Sequence, residues 1–138
     1  MNKLESIKKH LEFNGYEITG DTDETGGFYA FHDKYGPLCI REIGINLGIR
    51  LDKYFPIEFQ NCDYEQKFEL LEMLNQMNAN LFISTSYLYE KEGLGMSYAY
   101  MGEYEQKRFA NVLEGFHGDT EKMYEYDLQK YWRKQIAN

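Results

Sequence analysis

The run from Ile43 to Asp52 limits the fold more than any other stretch. Ile45, Leu47, Ile49 and Leu51 alternate with Asn46, Gly48, Arg50 and Asp52. Strict alternation of apolar and polar residues is the signature of a strand with one covered and one solvated face. Strands of that kind belong to antiparallel sheets, since the strands of a parallel sheet are apolar on both sides.

The neighbouring sequence supplies partners. Phe28–His32 and Leu38–Arg41 flank Tyr35-Gly36-Pro37, the pattern of a hairpin. Tyr16-Glu17-Ile18 has the composition to start a strand. Further on, Leu81, Ile83, Thr85, Tyr87 and Tyr89 share one face by periodicity, as do Leu94, Met96, Tyr98 and Tyr100, with Glu90–Gly93 as the turn. A one-residue slip would exchange the two faces of this hairpin. Lys53–Cys62 reads as irregular, because Pro56 is unsuited to a strand interior.

Three segments have helical spacing instead. Leu4, Ile7 and Leu11 mark the first, stopped by Asn14-Gly15. The other two open with the same four residues, YEQK, at Tyr64–Lys67 and Tyr104–Lys107. In the first copy Asp63 can cap the helix while Gln66 bonds back to it. Phe68, Leu71 and Leu74, with Leu70 or Met77, form the expected apolar stripe, and the helix should end within Asn75–Asn80. In the second copy Gly102 or Glu103 is the expected cap, followed by the stripe Phe109, Val112, Leu113 and Phe116. Gly115 and Gly118 weaken the end of this helix, and Asp119 can cap a continuation over Thr120–Gln135. The strands between the copies do not repeat, so YEQK is shared helix-start chemistry and not a duplicated unit.

The fold class is therefore α+β: an antiparallel sheet with helices on one face, in the order α-β-β-β-α-β-β-α, plus a helical C-terminal tail. A chain of 138 residues forms a single domain, 1–138, with its core over about 4–116 and the tail over about 119–138.

The middle helix end, Leu74–Asn80 (LNQMNAN), precedes a strand, an acidic turn and a second strand that ends just before the last helix. This order, from about Leu4 to Phe116, resembles the YbjN-like bacterial sensory-transduction-regulator family. The resemblance implies the fold of the type III secretion chaperones. That family has no established catalytic residues, so it implies none here.

Charge and composition narrow the function. A net charge of −8 leaves no basic stripe to meet phosphate, which excludes nucleic acid as the expected partner. The N-terminus has no continuous apolar core, so neither a signal peptide nor a membrane span is expected, and the expected location is the cytoplasm. Cys39 and Cys62 are too few for a disulfide framework and too widely spaced for a metal knuckle, and read as reduced core or near-core residues.

No motif points to catalysis. His10, His32 and His117 lie on separate elements without ligand spacing, so no metal site is expected. Ser84, Ser86 and Ser97 fall mid-strand with no nucleophile elbow. Asp21–Gly26 copies half of a calcium loop, but the twelfth position is His32 where a glutamate is needed. The basic-aromatic cluster Lys130–Lys134 suits the end of a helix. No cofactor is expected.

The aromatic share, 17%, is high, and tyrosine suits surfaces that are half apolar and half wet. Tyr87, Tyr89, Tyr98 and Tyr100 are either core beneath the helices, with the small Ser/Ala/Gly face outside, or an exposed patch, in which case they are the candidate partner-binding residues. The expected function is a non-enzymatic module, chaperone-like or regulatory. It would bind a protein or peptide through a sheet face or helix groove and form a homodimer. The alternative is a small-ligand domain or enzyme with an aromatic pocket between sheet and helices.

Overall fold

The computed structural model describes residues 2–22, 26–55, 57, 62–89 and 93–126. Its elements run α1 (Lys3–Phe13), β1 (Tyr16–Asp21), β2 (Phe28–His32), β3 (Gly36–Ile43), β4 (Gly48–Phe55), α2 (Tyr64–Asn80), β5 (Thr85–Tyr89), β6 (Gly93–Met101) and α3 (Gln106–Tyr124). The six strands form one sheet in the order β1-β2-β3-β4-β6-β5, antiparallel throughout. The α+β architecture and element order stand as expected, with β1 adding the strand that Tyr16 opens.

One face of the sheet carries the core. Phe28, Ala30, Leu38, Ile40, Ile49, Leu51, Phe55, Leu94, Met96 and Tyr100 pack with Ile7 and Leu11 of α1, Leu70 and Met77 of α2, and Phe109, Leu113, Phe116 and Met123 of α3. The cross-strand pairs Phe28↔Ile40, Ile40↔Leu51 and Leu51↔Tyr98 align these side chains across four strands. The described helices therefore cover a single face.

The alternation that defines β4 starts later than the sequence suggests. Ile45 and Leu47 sit in the β3–β4 turn and are 92% and 57% exposed, whereas Ile49 and Leu51 are fully buried. Asn46 turns the chain with φ of 59°, a conformation asparagine tolerates. At the other end, Lys53–Phe55 continue β4 and are not irregular.

The Asp63–Gln66 capping box is present. Gln66 N donates to Asp63 Oδ1 at 2.8 Å, and Asp63 N donates to Gln66 Oε1 at 3.0 Å. The stripe of α2 is rotated from the expected one. Leu70 and Met77 are buried and Leu74 is partly buried, but Phe68 and Leu71 are 62% and 51% exposed. Alternative stripes on one helix differ by a rotation that periodicity alone does not decide.

The second YEQK stands in a different register. Glu105, and not Gly102 or Glu103, caps α3, its carboxylate accepting from Lys107 N at 3.1 Å and Arg108 N at 2.7 Å. Tyr64 thus follows a cap while Tyr104 precedes one, so the two copies do not share a structural role.

Helix α3 runs through Gly115 and Gly118 without a break, and Asp119 caps nothing new. Asp119 is instead fully buried. Its carboxylate accepts three consecutive backbone N–H groups, from Phe82 at 2.6 Å, Ile83 at 3.0 Å and Ser84 at 2.9 Å. From α2, the Asn78 side chain takes both backbone groups of Ser86, accepting from N at 2.8 Å and donating to O at 3.1 Å. Lys122 Nζ donates to Asn80 O at 2.9 Å. These bonds pin the entry to β5, whose bends leave amides that no strand satisfies. The asparagine-rich helix end has this structural use. The expected helical tail beyond Tyr126, the Lys130–Lys134 cluster, and residues 23–25 of the calcium-like loop lie outside the described residues.

Candidate functional site

The four candidate tyrosines do not share a face. Tyr87 pairs with Gly95, and Ser86 with Met96. Residues directly opposite one another in an antiparallel pair project to the same side. Tyr87 therefore lies with Gly95 on the helix-free face, while Tyr98 and Tyr100 lie with Met96 on the core face. This is the one-residue exchange to which the hairpin is open. Tyr89 stands opposite Gly93.

Tyr100 is fully buried. Its ring meets Phe109 edge-on at 5.3 Å, and its hydroxyl accepts from Glu105 N at 3.1 Å. It is a structural support for the start of α3. Tyr98 is partly buried against the core.

Tyr87 belongs to a charged cluster on the other face. A Cβ on Gly95 would come within 2.7 Å of its ring, so the tyrosine lies directly over the glycine. Its hydroxyl accepts from Arg50 Nη2 and donates to Asp52 Oδ1 at 3.3 Å. Arg50 Nε also donates to Asp52 Oδ1, at 2.7 Å. Asp52 is fully buried beneath these groups, and its Oδ2 has no hydrogen-bond donor among the described residues. Burial raises the Asp52 carboxyl above its ordinary range, opposed by the Arg50 and Arg41 charges. Arg41 stands directly across from Arg50. Around the cluster, Tyr29 and Phe31 are each 42% exposed and Met101 49%, on a side where none of the described helices packs.

A second constellation escaped the sequence. His10 of α1 and His117 of α3 line one concavity, and His32, at the end of β2, stands beside His117. His10 Nδ1 meets Tyr104 Oη at 2.8 Å, and His117 Nε2 meets Tyr16 Oη at 2.7 Å. Tyr35 stacks on His117 at 3.7 Å with the planes 6° apart, and His32 lies 6.2 Å from His117 between ring centres. Burial and the nearby His32, Lys53 and Lys34 charges push His117 down to about 4. Burial lowers His10 as well, and raises Tyr16, with Tyr35 and Tyr124 adding to the rise.

Beneath them Lys53 is buried, its ammonium donating to Tyr35 O and Pro37 O, and burial lowers it to about 8. Above them, two adjoining concavities of about 660 and 570 Å³ share His10, Asn14 and Ala110. No short-range signal could have found this site, because His10 and Tyr104 are 94 residues apart and Tyr16 and His117 are 101. No cluster of three or more metal-ligating side chains occurs among the described residues.

The chain is thus a sheet covered by helices on one side, with a histidine-lined groove between two of those helices. The same fold occurs in the crystal structure of an uncharacterized protein from Methanothermobacter thermautotrophicus. It matches with a TM-score of 0.67 over 95% of this chain and 99% of that one, at 10% identity. No family model matches the chain, and no curated protein matches it. No described helix is long and apolar enough to cross a membrane.

Proposed function

We propose that the protein is a non-enzymatic interaction module, chaperone-like or regulatory, that docks a protein partner on the helix-free face of its sheet. One observation carries this reading: the described helices all cover one face, and the other presents half-exposed Tyr29 and Phe31 beside the Arg50–Asp52–Tyr87 cluster. Aromatic and arginine side chains are enriched where proteins meet, since they combine apolar area with fixed hydrogen-bonding groups.

The first occupant to test is a second copy of the chain, which makes the working form a homodimer. Tyr87 belongs to this surface; Tyr98 and Tyr100 serve the core. A YbjN-like, secretion-chaperone-like relationship and a cytoplasmic setting fit this role, and the small size and the net charge of −8 support it.

Light scattering after size exclusion tests the proposal. A dimer is expected for the native chain, and a folded monomer for the Tyr29→Glu, Phe31→Glu double variant. A strict monomer at high protein concentration overturns the homodimer, as does a dimer that the double variant leaves intact.

A further inference from the structure

The groove between α1 and α3 is a different surface from the sheet face, and its charges are sorted. Lys9 and Lys107 line the first concavity; Glu114 and Glu121 line the second. Glu105, also in the first, is committed to capping α3. Glu121 is held by Lys34 at 3.3 Å, whereas Glu114 has no ion partner among the described residues. The groove is therefore basic toward the start of α3 and acidic toward its end.

Its middle is built to meet a main chain. Ala110, common to both concavities, leaves the floor low where they join. His10 and His117 line the second concavity, and each has one ring nitrogen fixed by a tyrosine hydroxyl. The remaining nitrogen of each ring has no hydrogen-bond partner among the described residues. Both rings are held toward the neutral form, in which an imidazole can donate to a carbonyl or accept from an amide.

The length follows from the helix. Glu121 lies fourteen residues beyond Lys107 on α3, about 21 Å at 1.5 Å per residue. An extended chain rising about 3.3 Å per residue covers that distance with about six residues.

We infer that the α1–α3 groove binds an extended peptide segment of about six residues, acidic at the end over Lys9 and Lys107 and basic at the end over Glu114 and Glu121. The histidines hold the backbone between the ends. This is a peptide site additional to the sheet-face interface, and it stands or falls independently of the oligomeric state.

Fluorescence polarisation with labelled, end-capped hexapeptides tests it. The bipolar probes are Glu-Ala-Ser-Ala-Ser-Lys and its reversal; the controls carry Glu at both ends or Lys at both ends. One bipolar probe is expected to bind at least tenfold tighter than either control. Lys107→Glu should shift preference to the doubly basic peptide, and Glu114→Lys to the doubly acidic one. Both positions are exposed, so the fold should persist, as circular dichroism will show. The inference is overturned if neither bipolar probe saturates, if all four peptides bind alike, or if the two folded variants keep the native preference.

Discussion

Replacing Asp119 with alanine should unfasten the entry to β5. The native carboxylate is fully buried and accepts the backbone N–H groups of Phe82, Ile83 and Ser84. Among the described residues no other acceptor is in place for these amides, because this stretch bends before β5 begins to pair. Each buried donor left without an acceptor costs about 1–3 kcal/mol. Water reaching the bend after truncation recovers part of that, so the expected loss is about 3–5 kcal/mol for Asp119→Ala. Asp119→Asn keeps one acceptor oxygen but turns an NH2 toward the same amides, and should lose about 2–3 kcal/mol on the same principle.

A domain of this size is stable by about 5–15 kcal/mol, so the alanine variant should remain measurable in urea. Equilibrium unfolding gives the global loss. Hydrogen exchange of the Phe82, Ile83 and Ser84 amides gives the local one, and should accelerate in both variants before β3 and β4 are affected. A loss below about 1 kcal/mol for Asp119→Ala, with unchanged protection at those three amides, would refute the reasoning, since it would mean that the bend is satisfied without the carboxylate.

Two further outcomes follow from the site geometry. His117 is held down to about 4 against an ordinary 6.5, so between those values the unfolded chain takes up a proton that the native state refuses. Its contribution is present in full above pH 6.5 and is lost as the pH falls toward 4. It amounts to at most about 3 kcal/mol, and less for the part of the ring that water reaches. Urea titrations of the native chain and His117→Gln at pH 7 and pH 4.5 should therefore converge at the lower pH; parallel profiles would contradict the burial of the neutral ring. Gly95→Ala should displace the Tyr87 ring, which a Cβ would approach to 2.7 Å. It should cost about 1–3 kcal/mol as an overpacked contact and lower Tyr87 order by NMR, whereas a neutral substitution would show that the ring does not lie on the strand.

Local chemistry was legible in the sequence wherever the cause lay within a few residues. The Asp63–Gln66 capping box, the stop at Asn14-Gly15 and the stripe of Phe109, Leu113 and Phe116 all act over one helical turn or a few. The second YEQK shows the limit of this. Identical residues took up different cap registers because Tyr100 and Arg108 hold the start of α3 from outside the motif.

The two surfaces with functional promise depended on pairing. Periodicity told which residues of each strand share a side, but not which side of β5 faces which side of β6. That choice moved Tyr87 to the helix-free face and left Tyr98 and Tyr100 on the core face. The rotation of α2 that exposes Phe68 and Leu71 is of the same kind.

By itself the sequence determined an antiparallel sheet with helices between its strands, because hydrophobic period and capping are local properties. Only the tertiary structure decided what those elements bring together. His10 met Tyr104, His117 met Tyr16, and Asp119 met three distant amides, because long-range burial and the cost of leaving a buried polar group without a partner are properties of the packed chain and not of any segment of it.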